Sequence, residues 1–286
     1  MLAAFLIMLR EGFEAALVIA ILYSYLKRTG RTDLLGPMWL GAGAAFAVAL
    51  GLGIGIHVGM DNLEGVARLR AFAATMLLAV VVLTWMVFWM RSHSRQLKGQ
   101  LEHGFDEAMN RRSNVKLAIV ASAFLAILRE GFEASLFLIA TATEGDGAEV
   151  LIGGLAGLLL AGALGWMVVV GGKRLPMKQF FTVTALILIV FAAGLLARAV
   201  MFLQSAEDLP IMYDAVYNLT GVEWLTQSHE VGKFLAAMFG WDPRPSIEQV
   251  IVWVGYVTIV TWLFLRKPTT KATTTTPTRN TADAVK

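Results

Sequence analysis

The chain lacks cysteine entirely and carries little charge. None of the 286 residues is cysteine, which excludes disulfides, thiolate metal sites, iron–sulfur clusters and thiol nucleophiles. Charged residues make up 16% of the chain, whereas soluble domains carry roughly 25%. The formal charge of +3 is too small to indicate nucleic acid as a partner. Hydrophobic residues make up 57% and the mean hydropathy is +0.66, values typical of a protein that crosses a membrane several times.

Seven apolar stretches are each long enough to span a bilayer, which takes about 20 residues. They lie at 2–26, 37–58, 67–90, 116–141, 149–172, 178–203 and 248–266. The first stretch lacks the basic region and cleavage site of a signal peptide, so we expect it to be retained. The predicted fold is therefore all-α, a polytopic membrane protein with seven transmembrane helices.

The predicted domains follow from these stretches. Residues 1–203 form the transmembrane core, with one repeat at about 1–91 and a second at about 116–203. Residues 204–247 are too polar to span a membrane and are predicted to form an extracytoplasmic amphipathic loop with one or two helices. Residues 248–266 form the seventh transmembrane helix. The threonine-rich residues 267–286 are predicted to be a disordered cytoplasmic tail.

Lysine and arginine are distributed unevenly between the two sides of the predicted spans. Of the 24, 17 fall on one side, five fall on the other, and two lie within spans. Because positive residues accumulate on the cytoplasmic side, this predicts an N-terminus outside the cytoplasmic (inner) membrane and a C-terminus in the cytoplasm.

A seven-residue sequence occurs twice. Leu9–Ala15 reads Leu-Arg-Glu-Gly-Phe-Glu-Ala, and Leu128–Ala134 is identical. The order of spans also repeats, with a charged span followed by a glycine-rich span and a strongly apolar one. Two copies of three spans must run in opposite directions through the membrane. The sequence thus predicts a 3+3 inverted repeat, an arrangement common in secondary transporters with a substrate site near the midplane.

Both copies place charge near the middle of a predicted span. Glu11 and Glu14 are three residues apart, so their carboxylates share one helix face. Arg10 lies four residues before Glu14, within reach of an intrahelical ion pair. The second copy repeats this arrangement with Arg129, Glu130 and Glu133. A charged residue at mid-helix costs roughly 2.5–3.5 kcal/mol, so six of them are rarely retained for structure alone.

Two interpretations of the motifs remain open. They could be ion pairs that hold the two spans together, or a cation site of four glutamates, Glu11, Glu14, Glu130 and Glu133, supported by Arg10 and Arg129. Carboxylates suit hard cations such as Mg, Ca, Mn and iron, and the residues alone narrow the cation no further. Competing functions are a permease for manganese or lead, a membrane-embedded carboxylate metalloenzyme, and a proton-driven exporter.

At the two Arg-Glu-Gly-Phe-Glu motifs, the chain resembles the FTR-type high-affinity iron permeases, the oxidase-dependent iron transporters, and their bacterial EfeU-like branch. The resemblance covers about residues 1–266. It implies a transporter, not an enzyme, that imports iron through the motif glutamates. It also implies that iron is cargo and that no cofactor is permanently bound. Implied partners are the iron ion, membrane lipid, a periplasmic iron-binding protein and a haem peroxidase.

Three acidic clusters are weaker candidates for sites where the cation enters or leaves. They are Asp61 and Glu64, then Glu144, Asp146 and Glu149, and finally Glu102, Asp106 and Glu107 in the loop between the third and fourth spans. Glycines spaced by four at Gly51, Gly55 and Gly59, and at Gly153 and Gly157, are predicted to allow close helix packing. Trp85, Met86 and Trp89 are interpreted as packing and interface residues rather than metal ligands.

Overall fold

The fold was analysed in a computed structural model that describes residues 2–93, 115–142, 147–171 and 177–266. These residues form eight α-helices: α1 Leu2–Arg28, α2 Leu35–Asp61, α3 Gly65–His93, α4 Val115–Ala142, α5 Gly147–Gly171, α6 Met177–Ser205, α7 Glu230–Phe239 and α8 Ile247–Leu265. No strand occurs in the described ranges, which confirms the all-α prediction. A helix lies at each of the seven predicted spans, and α7 is the single α-helix within 204–247. The tail after Arg266 lies outside the described residues.

Five of the helices are long and apolar enough to cross a membrane. They are α2, α3, α5, α6 and α8. Helices α1 and α4 are as long, with 27 and 28 residues, but each carries a charged motif in its middle. Large apolar side chains such as Trp166 and Leu159 are 69% and 74% exposed, as expected where lipid rather than water surrounds a helix. The chain is a multi-pass membrane protein.

The helices pack in a pattern that relates the first three to the next three. The most extensive contacts are α1 on α5, α2 on α4 and α3 on α6, followed by α6 on α8 and α1 on α4. If α1 is exchanged with α4, α2 with α5 and α3 with α6, the α1–α5 pair becomes the α4–α2 pair. The same exchange leaves the α3–α6 and α1–α4 pairs unchanged. The two motif helices are therefore each held by the second helix of the other copy.

The motif glycines make equivalent contacts in the two copies. A methyl group added at Gly12 of α1 would lie 3.0 Å from Cβ of Ala161 in α5, and one at Gly131 of α4 would lie 2.5 Å from Cβ of Ala49 in α2. One turn further along, Gly165 faces Ala16 and Gly53 faces Ser135. Small residues thus let each motif helix approach its neighbour closely.

The predicted glycine rows are right in part. A side chain at Gly157 of α5 would overlap the backbone of α1 at Phe5, which confirms its packing role. The prediction is wrong for Gly51, Gly55 and Gly59, because nothing lies within 4 Å of a methyl group built at any of them. In α2 the close approach occurs instead at Gly41, whose added methyl group would overlap the Val120 carbonyl of α4. Small residues occur on several faces of α2, so their spacing did not identify the packed face.

The main apolar core lies between α3, α4 and α6. Leu83 and Met86 of α3, Phe137 of α4 and Ile189 of α6 are all at most 1% exposed and belong to one cluster. Phe264 of α8 closes the same cluster. This core fixes α3 against α4, which brings α3 beside both motif arginines.

The segment between α6 and α8 is fastened to the helix ends by polar contacts. Arg70 of α3 donates two hydrogen bonds to Asp208, at 2.8 Å from Nε and 2.6 Å from Nη2. The Glu248 carboxylate of α8 accepts from the Met212 amide and the Gln204 side chain. The Arg70 guanidinium holds the pKa of the Asp208 carboxyl below its ordinary value. These contacts hold the segment against α3, α6 and α8.

We expect Gly41→Ala to destabilise the protein, because the new methyl group meets the α4 backbone at Val120, and overpacking typically costs about 1–3 kcal/mol. Gly55→Ala is the matched control, because it lies on the same helix with nothing within 4 Å of the added methyl group. The measurement is the melting temperature of each purified variant in one detergent. Equal melting temperatures for the two variants would contradict the close α2–α4 packing.

A second expectation concerns pH. Since the folded pKa of Asp208 is lowered, its ion pair stabilises the fold above the ordinary carboxyl pKa of about 4. This stabilisation is lost as the pH falls through the lowered pKa. The melting temperature of Asp208→Asn should therefore be below that of wild type at neutral pH and approach it in acid. A difference in melting temperature between the two proteins that stays constant with pH would show that the charge of Asp208 does not cause the stabilisation.

Candidate metal centre

Three glutamates from the two motifs meet where α1 and α4 pack together. Glu11 of α1 and Glu130 and Glu133 of α4 each offer one carboxylate oxygen, and these oxygens lie within 4.8 Å of one another. The three side chains are buried, at 2%, 9% and 4% exposure. The three-residue spacing in α4 puts Glu130 and Glu133 on one face, and the contact with α1 brings Glu11 to them. We refer to these three residues as the glutamate triad.

One oxygen of each triad residue is buried without a hydrogen-bond partner. These atoms are Oε2 of Glu11, Oε2 of Glu130 and Oε2 of Glu133. Burying an acceptor without a partner is unfavourable, and more so for a charged group. A cation with oxygen ligands would supply the missing interaction for all three atoms. The donor set therefore suits a hard cation rather than copper or a thiolate-bound metal.

Arg10 of the first motif is buried and fixed by two carboxylates. Its side chain is 3% exposed, with Nη1 at 2.5 Å from Oε1 of Glu11 and Nη2 at 2.9 Å from Oε1 of Glu14. Nη1 also donates to Sδ of Met86 in α3 at 3.1 Å. Because opposed charges at these distances attract strongly in a medium of low dielectric constant, Arg10 compensates much of the cost of burying the glutamates.

Arg129 of the second motif has different surroundings. Its Nε donates to Oε1 of Glu133 at 3.0 Å and lies 4.0 Å from Oε1 of Glu130. Its side chain is 34% exposed, about ten times the exposure of Arg10. The guanidinium lies over two indole rings of α3, 4.5 Å from the centre of Trp89 and 5.3 Å from that of Trp85. Cation–π attraction at this distance holds the guanidinium against the rings.

The sequence did not reveal this role of α3. The sequence pattern favours packing roles for Trp85, Met86 and Trp89, yet each also contacts a motif arginine. The spacing of four between the tryptophans puts both rings on one helix face, and the rings stack at 6.2 Å. That spacing was the available signal, but only the packing of α3 on α4 shows which cation the rings contact.

The remaining predicted residues fall into three groups. Glu14 is outside the triad and faces Arg10. Glu64 is exposed just before α3, and Glu149 is partly exposed in the first turn of α5. Asp61 ends α2, but its side chain lies outside the described residues, as do Glu102, Asp106, Glu107, Glu144 and Asp146.

We expect the two arginines to differ in their effect on stability. Arg10→Gln leaves Glu11 and Glu14 buried without their cation, and breaking a buried ion pair costs about 3–5 kcal/mol. Arg129→Gln should cost less because that side chain is partly exposed. The yield of folded, monodisperse protein and its melting temperature measure both effects. Glu14→Gln should partly restore Arg10→Gln, since it removes one of the stranded charges. Equal losses for the two arginine variants would contradict this difference.

Comparison with known proteins agrees with the resemblance at the two motifs. Residues 1–274 match the iron permease FTR1 family. A protein from Escherichia coli (strain UTI89 / UPEC) named ferrous iron permease EfeU is 37% identical over 281 residues, covering 96% of this chain and 98% of that protein. A protein of the same name from Yersinia pestis is 35% identical over 272 residues, covering 95% and 96%. No solved structure matches the chain. These matches span nearly the whole chain and identify a transporter rather than an enzyme, and the chain belongs to the iron permease FTR1 family.

Proposed function

We propose that this protein is a permease that carries iron ions across the cytoplasmic membrane through the glutamate triad. The observation that carries the proposal is the approach of Glu11, Glu130 and Glu133 within 4.8 Å at the contact of α1 and α4. The names of the relatives, ferrous iron permease, support iron as the cargo. Glu14 is the fourth carboxylate of the proposed site. It is linked to the triad by Arg10, which forms ion pairs with both Glu14 and Glu11.

The formal charge of the site favours a divalent ion. The two motifs contribute four glutamates and two arginines, which leaves −2 when all six groups are ionised. A ferrous ion brings this sum to zero, whereas a ferric ion leaves a positive charge in a medium where unpaired charge is costly. A transported ion must also leave again. A site that the ion neutralises without excess charge suits both binding and release.

We further propose that α1 to α6 and α8 all cross the membrane and that the two motif copies form an inverted repeat. The equivalent pairs α1–α5 and α4–α2 support this arrangement. Burial of the charged groups supports crossing by α1, because Arg10 is 3% exposed and is enclosed by protein. The lysine and arginine distribution supports an N-terminus outside and a C-terminus in the cytoplasm.

In this proposal iron is cargo, and the chain holds no permanent cofactor. The arginines hold Glu11, Glu14 and Glu133 in place before the ion arrives. The ion then competes with them for the carboxylate oxygens. A periplasmic iron-binding protein and a haem peroxidase remain predicted partners, since the contacts described above concern this chain alone.

Uptake of radioactive iron in cells without their own importers tests the proposal. Glu11→Gln, Glu130→Gln and Glu133→Gln each remove one charged ligand, so we expect uptake to fall roughly 10- to 100-fold at equal membrane abundance. Glu223→Gln is the matched control, because this glutamate is exposed in the segment between α6 and α8. Comparison of reducing with oxidising medium identifies the oxidation state carried, and we expect faster uptake under reducing conditions.

Two outcomes would overturn the proposal. Normal uptake by all three glutamine variants would reduce the triad to structural ion pairs. Uptake of manganese or lead by wild type without uptake of iron would assign the permease to another cation.

A further inference from the structure

The two motif arginines are identical in local sequence but unequal in structure. Arg10 contacts two carboxylates at 2.5 and 2.9 Å and is 3% exposed. Arg129 has one close carboxylate, Glu133, and is 34% exposed. Its guanidinium also lies over the stacked rings of Trp85 and Trp89. A carboxylate from the triad and an aromatic surface from α3 thus share the same cation.

Binding of a metal ion would change how Arg129 is shared between Glu133 and the two aromatic rings. Glu133 belongs to the glutamate triad, and its Oε1 already accepts from Arg129 at 3.0 Å. A metal ion bound to Glu133, even through the unpartnered Oε2, would weaken that pair, because the ion competes for the charge of the carboxylate and repels the guanidinium. A guanidinium released into a low-dielectric site without another partner would be strongly unfavourable. The free energy of ion binding therefore depends on which groups the displaced Arg129 guanidinium can contact.

We propose that Trp85 and Trp89 are positioning residues that receive the Arg129 guanidinium when a metal ion takes Glu133. Planar guanidinium groups stack on aromatic faces, and the attraction grows when both are shielded from water. The rings already lie 4.5 and 5.3 Å from the guanidinium carbon, so the shift is small. The inference rests on the proposed binding of a cation by the triad. It adds which arginine is displaced by the ion and which side chains stabilise the displaced guanidinium.

The surroundings of the two arginines indicate why Arg129 is the one that moves. Displacing Arg10 would leave both Glu11 and Glu14 buried without the cation that pairs with them. Displacing Arg129 leaves Glu133 to the arriving ion, and the guanidinium keeps its aromatic contact throughout. Trp85 is 54% exposed, so the guanidinium can slide along the ring without opening the core. Arg10 is the fixed countercharge and Arg129 the exchangeable one.

The test is calorimetric titration of the purified full-length chain with ferrous iron under anaerobic conditions. The double variant Trp85→Leu/Trp89→Leu removes the aromatic surface, and Trp85→Phe/Trp89→Phe keeps it. We expect the leucine pair to weaken ferrous iron binding about 10-fold and the phenylalanine pair to stay within about 3-fold of wild type. In an Arg129→Gln background the leucine pair should have no further effect, since no guanidinium remains to be received.

Controls separate this role from simple packing. Trp166→Leu, on the exposed face of α5, should bind iron as wild type does. If the leucine pair fails to fold, Trp89→Leu and Trp89→Phe replace the double variants, because Trp89 is the closer ring.

Equal affinities for the leucine and phenylalanine variants would overturn the inference. A loss that persists in the Arg129→Gln background, or a wild-type chain that binds no ferrous iron, would also overturn it. Wild type that binds iron normally but fails to transport it would refute the proposed function and leave this inference standing.

Discussion

Six charged side chains meet between α1 and α4, and the surrounding structure has to make their burial tolerable. Arg10 does most of this, because it contacts Glu11 and Glu14 at 2.5 and 2.9 Å inside the protein. Two arginines cannot neutralise four glutamates, however, and three triad oxygens stay without a hydrogen-bond donor. The arrangement is therefore incomplete by itself, and a hard cation would complete it. In the proposed function, the same imbalance that makes the site costly to fold favours the binding of positive ions.

The helix packing provides the close fit that this burial requires. Lipid is as apolar as leucine, so helices in a membrane associate through close contact rather than through the hydrophobic effect. Gly12 against Ala161 and Gly131 against Ala49 give each motif helix such a contact at the level of its charges. Small residues there let the helices approach closely beside the ion pairs. Packing and electrostatics therefore depend on the same two short motifs.

Local features of the site could be predicted from the sequence, and the long-range ones could not. Helix positions and the shared face of Glu130 and Glu133 follow from hydropathy and from helical spacing, which are properties of adjacent residues. The contact of Arg10 with Glu14 follows from their spacing of four, whereas the position of Glu14 outside the triad depends on how α1 rotates against α4. The aromatic surface at Arg129 comes from α3, about 40 residues away in sequence. Pattern alone offered no way to match those rings with that cation.

Helix α3 makes two identical motifs chemically different. It offers the weak acceptor Met86 to Arg10 and the rings of Trp85 and Trp89 to Arg129. Because α3 contacts the two arginines through different side chains, these contacts break the equivalence that the α1–α5 and α2–α4 pairs preserve. In the proposed function, Arg10 keeps its contacts with Glu11 and Glu14, whereas Arg129 gives up Glu133 to the ion. With two exchangeable arginines, no countercharge would stay buried to hold the empty site together. In the proposed function, one fixed and one exchangeable arginine let a single site remain folded without its ion and still bind that ion reversibly.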